Sequence, residues 1–174
     1  ISAEMCDYLK GQAYFIRGYL YWLLLRKYGP VPILPDEGLD YEAPYSDLAY
    51  PRSTYDECAE YIAEQMLLAA QFLESDRSSR NASRPTKGAA LALKAKVLLY
   101  AASDLWNSTS WAGGFSQPLL ISLPSGDRAA RWKTAADAAK AVIDLPGTTY
   151  TLYNNYRNLY ITAQSFQSME HILV

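Results

Sequence analysis

Residues 12–34 read QAYFIRGYLYWLLLRKYGPVPIL, and the fold follows from how that stretch is taken. From Tyr19 to Leu25 it holds only Tyr, Leu and Trp, none of which competes locally for backbone hydrogen bonds. Extended upstream, the spacing predicts a helix over Met5–Lys27. Asp7, Lys10 and Arg17, with the Tyr14 and Tyr21 hydroxyls between them, recur at steps of three and four. They make one narrow polar stripe, with apolar residues around most of the remaining circumference. A helix so clothed is expected to be packed on several sides. Arg26 and Lys27 fall in its last turn, where cations complement the helix dipole. Gly29 is expected as a left-handed cap, and Pro30 and Pro32 forbid continuation.

Three further helices follow downstream. Thr54 with Glu57 three residues on forms a capping box. Behind it Tyr55, Cys58, Ile62, Met66, Ala69 and Leu73 line one face, while Glu57, Glu60, Glu64 and Gln71 look away. The Ser- and Arg-rich stretch Ser75–Ser83 ends that helix. The next is expected from about Thr86 to Ser103, with Gly88, Ala92, Ala95, Leu99 and Ala102 as a stripe of small residues for close helix approach. Thr86-Lys87-Gly88 lacks the glycine spacing and preceding strand of a phosphate loop. A fourth helix is expected over Ala129–Leu145, with Ala135, Ala138, Ala139 and Val142 on its packing face and Pro146-Gly147 as its stop. A short fifth is expected near Asn155–Ala163.

Two irregular segments interrupt this array. Leu34–Pro51 holds three prolines, the acidic pair Asp36-Glu37 and three tyrosines, with neither helical nor strand period. It is longer than most connections, which marks it as functional or clamped on a partner. Asp104–Arg128 carries Trp106, Asn107, Trp111 and the Gly113-Gly114 pair. Two tryptophans on such a loop either stack against a ligand such as a sugar ring or cap a neighbouring helix. The expected fold class is all-α: tetratricopeptide-like antiparallel helix pairs with long irregular loops. No repeat of about 34 residues aligns.

Composition narrows the function. With 174 residues the chain suits one domain with a sizeable core. Its formal charge of −2, without a basic run, argues against nucleic acid as a partner. Tyrosine dominates the aromatics, 15 against 4 Trp and 4 Phe, so rings with a polar handle prevail. These suit sugar platforms and protein interfaces, or a core whose hydroxyls reach solvent. Cys6 and Cys58 belong to no metal-ligand spacing, and His171 stands alone in an apolar run. No Gly-x-Ser-x-Gly elbow is present, and Asp56-Glu57 is explained by a helix N-terminus. No enzyme, cofactor or metal is therefore expected. The chain opens in a helix pattern and stops in an apolar run, and is expected to be a piece of a longer protein, truncated at both ends.

A series of ordered blocks resembles the SusD/RagB family of outer-membrane nutrient-binding lipoproteins. The first is Ala13, Phe15, Arg17, Tyr19, Tyr21 and Leu23, running into Tyr28-Gly29-Pro30-Val31-Pro32-Ile33. Pro51-Arg52-Ser53-Thr54 and the helix Arg84–Val97, with its Thr86-Lys87 and alanine spacing, come next. Trp132, Ala135-Ala136, Ala138-Ala139 and Val142-Ile143 follow, and then Tyr150, Leu152, Tyr156, Leu159, Glu170 and Ile172. Gly18 stands where the family usually has Ala, and Pro30 where it often has Gly.

The resemblance implies that residues 1–174 are part of a single SusD-like helical superhelix, as in proteins of Bacteroidetes polysaccharide utilization. It implies a surface-exposed, non-catalytic subunit of the cell outer membrane, held by a lipid anchor absent from this chain. Such a subunit works with a SusC-like TonB-dependent barrel and binds an oligosaccharide or peptide. On that reading Trp106, Asn107 and Trp111 are the expected ligand-binding residues. The alternative is a helical-repeat interaction scaffold without a small ligand, using the Tyr-rich loop Leu34–Pro51 as its contact surface.

Overall fold

The computed structural model describes residues 2–75, 84–108, 114–121, 127–147 and 150. Among them the chain is helical and without strands, as expected. Its elements are α1 (Ala3–Tyr28), the single turn α2 (Tyr45–Leu48), α3 (Tyr55–Phe72), α4 (Lys87–Ala102), a 3-10 turn (Pro118–Leu120) and α5 (Arg128–Ile143). The expected short helix at 155–163 and the chain's last residues, His171 included, lie outside the described residues.

Each long helix begins on a side-chain cap, which satisfies amides that have no intrahelical partner. Ser2 accepts from Met5 N, Thr86 from Ala89 N, and Asp127 from Ala129 N and Ala130 N. At α3 the capping box is complete. Thr54 Oγ1 accepts from Glu57 N at 3.2 Å, and the Glu57 carboxylate accepts from Thr54 N at 2.7 Å. These hydrogen bonds from Thr54 backbone and hydroxyl hold the Glu57 carboxyl below its usual range.

The four long helices pack in series: α1 on α3, α3 on α4 and α4 on α5. Their directions follow from contacts at their ends. Trp22, late in α1, meets Tyr100, late in α4, edge to face at 5.1 Å. Arg84, just ahead of α4, lies over Tyr8 near the start of α1. Helices α1 and α4 are thus parallel, and α3 runs against both. Antiparallel pairing in series is the expected superhelical arrangement. Its core is built from Phe15, Trp22 and Leu25 of α1, Tyr55, Cys58, Ile62, Met66 and Ala69 of α3, and Ala90, Leu93 and Val97 of α4.

The seam between α1 and α3 is close because two glycines face it. A Cβ on Gly11 would stand 2.9 Å from Phe72 Cβ, and one on Gly18 would stand 2.4 Å from Met66 Cε. Gly29 ends α1 with φ 73° and ψ −157°, its N–H donating to Leu25 O. The positive φ was expected, but the backbone is extended in ψ rather than left-handed helical. That combination is open essentially to glycine alone. It sends Pro30 to a buried position under the helix end.

Two expectations shift. The row of α4 that enters the core is Ala90, Leu93, Val97 and Ala101, whereas Leu99 of the expected stripe is 48% exposed. Gly88 and Ala102 of that stripe are buried and Ala92 and Ala95 half-buried, because α4 is packed from both sides, by α3 and by α5. Second, α1 buries Phe15, Trp22 and Leu25 against α3, yet Met5, Leu9, Ile16, Leu20 and Leu24 stay exposed. Among the described residues, packing on several sides is only partly realised.

Candidate functional site

The chain order gathers both irregular segments at one end of the helix array. Helix α1 ends there, α3 begins there, α4 ends there and α5 begins there. Three contacts tie these ends together. Tyr55, the first residue of α3, stacks on Trp106 just beyond α4. Arg131 in the first turn of α5 grips Asp56 with paired hydrogen bonds of 2.9 and 3.1 Å. Arg128 pairs with Asp104 in the turn that follows α4.

That turn carries two of the three residues expected to bind ligand. Ser103 leaves helical geometry, and Asp104–Asn107 follow as a tight turn in which Trp106 N donates to Ser103 O and Asn107 N to Asp104 O. Asn107 Nδ2 donates to Ala101 O and Ser103 O, both at 2.8 Å. It thereby closes carbonyls at the end of α4 that lack helical partners. The Trp106 ring lies parallel to Tyr55, with centroids 3.9 Å apart and planes 18° apart. Trp106 is half-buried against the core, and Tyr55 is buried beneath it. The ring stack and the two amide hydrogen bonds fix the place of Trp106 and Asn107 beside the end of α4. Trp111 lies outside the described residues.

The other segment, between α1 and α3, is pinned at its start and open further on. Leu34 N donates to the Tyr21 hydroxyl at 3.0 Å, and Asp36 receives the Arg17 guanidinium at 2.6 and 3.4 Å. Arg17 Nε also donates to Gln65 Oε1, on a side chain buried in α3. One guanidinium therefore joins helix, helix and loop through its rigid fork. Past this clamp Asp40 caps a tight turn by accepting from Glu42 N, and α2 follows. Tyr41 and Tyr45 stand there 85% exposed, beside Glu37, Asp40, Glu42 and Asp47.

Titratable groups near this end are structural. Burial, then the neighbouring Cys58 and Tyr100, push the Tyr55 phenol far above its ordinary range. Burial also raises the Cys58 thiol, whose Sγ donates to Val31 O. The helix N-terminus accounts for the position of Asp56 but not for its partner, Arg131, which lies 75 residues away. Neither that pair nor the Arg17–Asp36 clamp has a sequence signal, since each joins charges from separate elements. Among the described residues no group of three or more His, Cys, Asp or Glu could hold a metal ion. Among the same residues no helix is long and apolar enough to cross a membrane.

Residues 2–99 match a model of the SusD-like family described as starch-binding and associating with the outer membrane. The chain belongs to that family. Solved structures agree in fold. A SusD-like protein from Bacteroides fragilis superposes with a TM-score of 0.73 at 25% identity, covering 99% of this chain and 28% of that one. A SusD-like carbohydrate binding protein from the same species gives 0.69 at 18% identity, covering 99% and 28%. A SusD homolog from Bacteroides thetaiotaomicron gives 0.62 at 24% identity, covering 90% and 25%. The chain thus spans little more than a quarter of these SusD-like relatives. No curated protein matches it. The SusD-like assignment and the all-α fold expected from the sequence both hold.

Proposed function

We propose that this chain is the helical part of a non-catalytic nutrient-binding subunit, displayed on the outer membrane through a lipid anchor. The subunit binds a glycan or a peptide and passes it to a SusC-like TonB-dependent barrel. The observation that carries this reading is the match of residues 2–99 to a family described as starch-binding and outer-membrane associated. Trp106, Asn107 and Trp111 are the proposed ligand contacts. What favours Trp106 is its fixed orientation: a ring already stacked on Tyr55 loses little conformational entropy when a sugar packs beside it. Asn107 offers an amide held in place by two helix carbonyls.

Partnership with a transporter is tested on the full-length protein purified from its native outer membrane with mild detergent. Recovery with a stoichiometric TonB-dependent barrel is the expected result. Recovery alone, at detergent concentrations that keep other outer-membrane complexes intact, would overturn the transport half of the proposal.

A second reading is favoured by the loop after α1. Tyr41 and Tyr45 at 85% exposure, among carboxylates, suit a contact surface for another protein. In that case the chain is a scaffold and binds no small ligand. The two readings part on whether free oligosaccharide or peptide binds the purified protein at all.

A further inference from the structure

The guanidinium that clamps the loop after α1 is itself aimed from below. Gln65 is a polar side chain within the buried face of α3, 3% exposed, and its Oε1 accepts from Arg17 Nε at 3.0 Å. A buried amide is costly unless it is bonded, and this bond leaves the two terminal nitrogens of Arg17 to Asp36. Beyond Asp36 the loop holds chiefly to itself. Gly38 N donates to Pro35 O, Ala43 N to Asp40 O, Asp47 N to Pro44 O and Tyr50 N to Leu48 O. Among the described residues, the hydrogen bonds of residues 37–50 stay within residues 35–50. The neck of the loop is closed by Ser53 N on Val31 O at 3.3 Å.

Charge and stiffness act in the same sense. From Tyr28 to Pro51 there is no Lys, Arg or His, while Glu37, Asp40, Glu42 and Asp47 repel one another. Pro35, Pro44 and Pro51 stiffen the backbone. A segment braced internally and tied to the helices at few points moves as a piece rather than fraying.

We propose that Arg17, aimed by Gln65, is a latch with Asp36 as its catch, and that residues 37–50 form a strap that swings off the helices as one piece. The helices stay packed as it moves, because the seam beneath is close and apolar, with Phe15, Leu25, Ile62 and Met66 buried. Tyr41 and Tyr45 ride on the strap, so the latch decides which way these two exposed rings face. The Arg17–Asp36 pair is partly exposed, and dissolved salt therefore weakens it.

The test is cleavage of the folded full-length protein by a glutamate-specific protease. Glu37 and Glu42 lie on the strap, and Glu57 and Glu60 on α3 report opening of the helices. Each rate is taken relative to a free peptide of the same sequence. Arg17→Gln should speed cleavage at the strap roughly tenfold and leave the α3 sites unchanged. Gln65→Leu keeps the charge, fills the same core space and loses only the aim, so a roughly threefold rise is expected. Added salt should speed strap cleavage in wild type and not in Arg17→Gln. Equal strap cleavage in wild type and both variants would overturn the proposal. So would a rise shared by Glu57 and Glu60, which assigns Arg17 to the packing of the whole seam.

Discussion

Trp106 lies flat on Tyr55 at 3.9 Å, and this pair joins the start of α3 to the turn after α4. Tyr55 is buried and Trp106 half-buried, so the stack belongs to the core on one side and to the loop on the other. The same indole thus serves packing and, on our reading, recognition. Removing it must act on both. Trp106→Ala should lower stability by about 2–3 kcal/mol, below the usual loss for a fully buried tryptophan. Trp106→Phe keeps a stacking ring and should cost about 1 kcal/mol. Urea denaturation of the two variants against wild type checks the order.

The seam between α1 and α3 leaves no room at Gly11. Its missing Cβ would fall 2.9 Å from Phe72 Cβ, an atom fixed to its own backbone, and 3.1 Å from Leu73 Cγ. Gly11→Ala gains about 1 kcal/mol of helix propensity and meets an overpacking penalty of about 1–3 kcal/mol. The net expectation is a loss, read as a lower midpoint in urea. Gly29→Ala should also lose about 1–3 kcal/mol for a different reason. Nothing lies within 4 Å of its Cβ, but φ 73° with ψ −157° suits only glycine.

Asp56 and Arg131 hold α5 against the start of α3 through a two-pronged, partly buried ion pair. Arg131→Lys keeps the charge and loses the fork, so it should cost nearly as much as Arg131→Ala, about 1–2 kcal/mol. Equal stability of wild type and Arg131→Lys, measured by thermal unfolding, would show that charge alone suffices.

The cysteines differ in environment, one exposed and one buried. Native protein should give one fast thiol with Ellman's reagent at mildly alkaline pH, Cys6, and the second only on unfolding. Burial raises the folded Cys58 pKa, so the folded state keeps a proton that the unfolded state releases. Stability from this group is therefore full below the thiol's ordinary range and falls as pH rises through it. Tyr55, raised in the same sense, adds a second loss as pH enters the ordinary phenol range. Cys58→Ala should remove the first step and leave the second, in stability measured across alkaline pH.

How much of this was legible beforehand follows from the range of each signal. The Thr54–Glu57 capping box and the buried face Tyr55, Cys58, Ile62, Met66, Ala69 and Leu73 are local patterns, and each is found as written. Gly29 and the proline stop are local too, and only the ψ value differed. The small-residue stripe of α4 is found only in part, with Gly88 and Ala102 buried and Leu99 exposed, because residue size does not tell which of two neighbours a position meets. Arg17 lay on the expected polar stripe of α1, but its link to Asp36 and Gln65 depends on where a loop and a second helix arrive. Trp106 stands out in the sequence by its chemistry alone, and its seat on Tyr55, about fifty residues away, leaves no local pattern. Asn107 was expected as a hydrogen-bonding neighbour of a ligand, and its amide closes α4. That use is compatible with presenting the residue to a ligand, and it was invisible without the turn geometry.

The central claim is that the protein binds a small nutrient through the segment after α4. Isothermal titration of the full-length protein against a panel of oligosaccharides and short peptides tests it most directly. Wild type should bind at least one member saturably, and Trp111→Ala should weaken that binding by tenfold or more, about 1.4 kcal/mol. Trp106→Phe should bind with intermediate affinity. Saturable binding that is identical in wild type, Trp106→Phe and Trp111→Ala would contradict the site, and no binding across the panel would contradict the function.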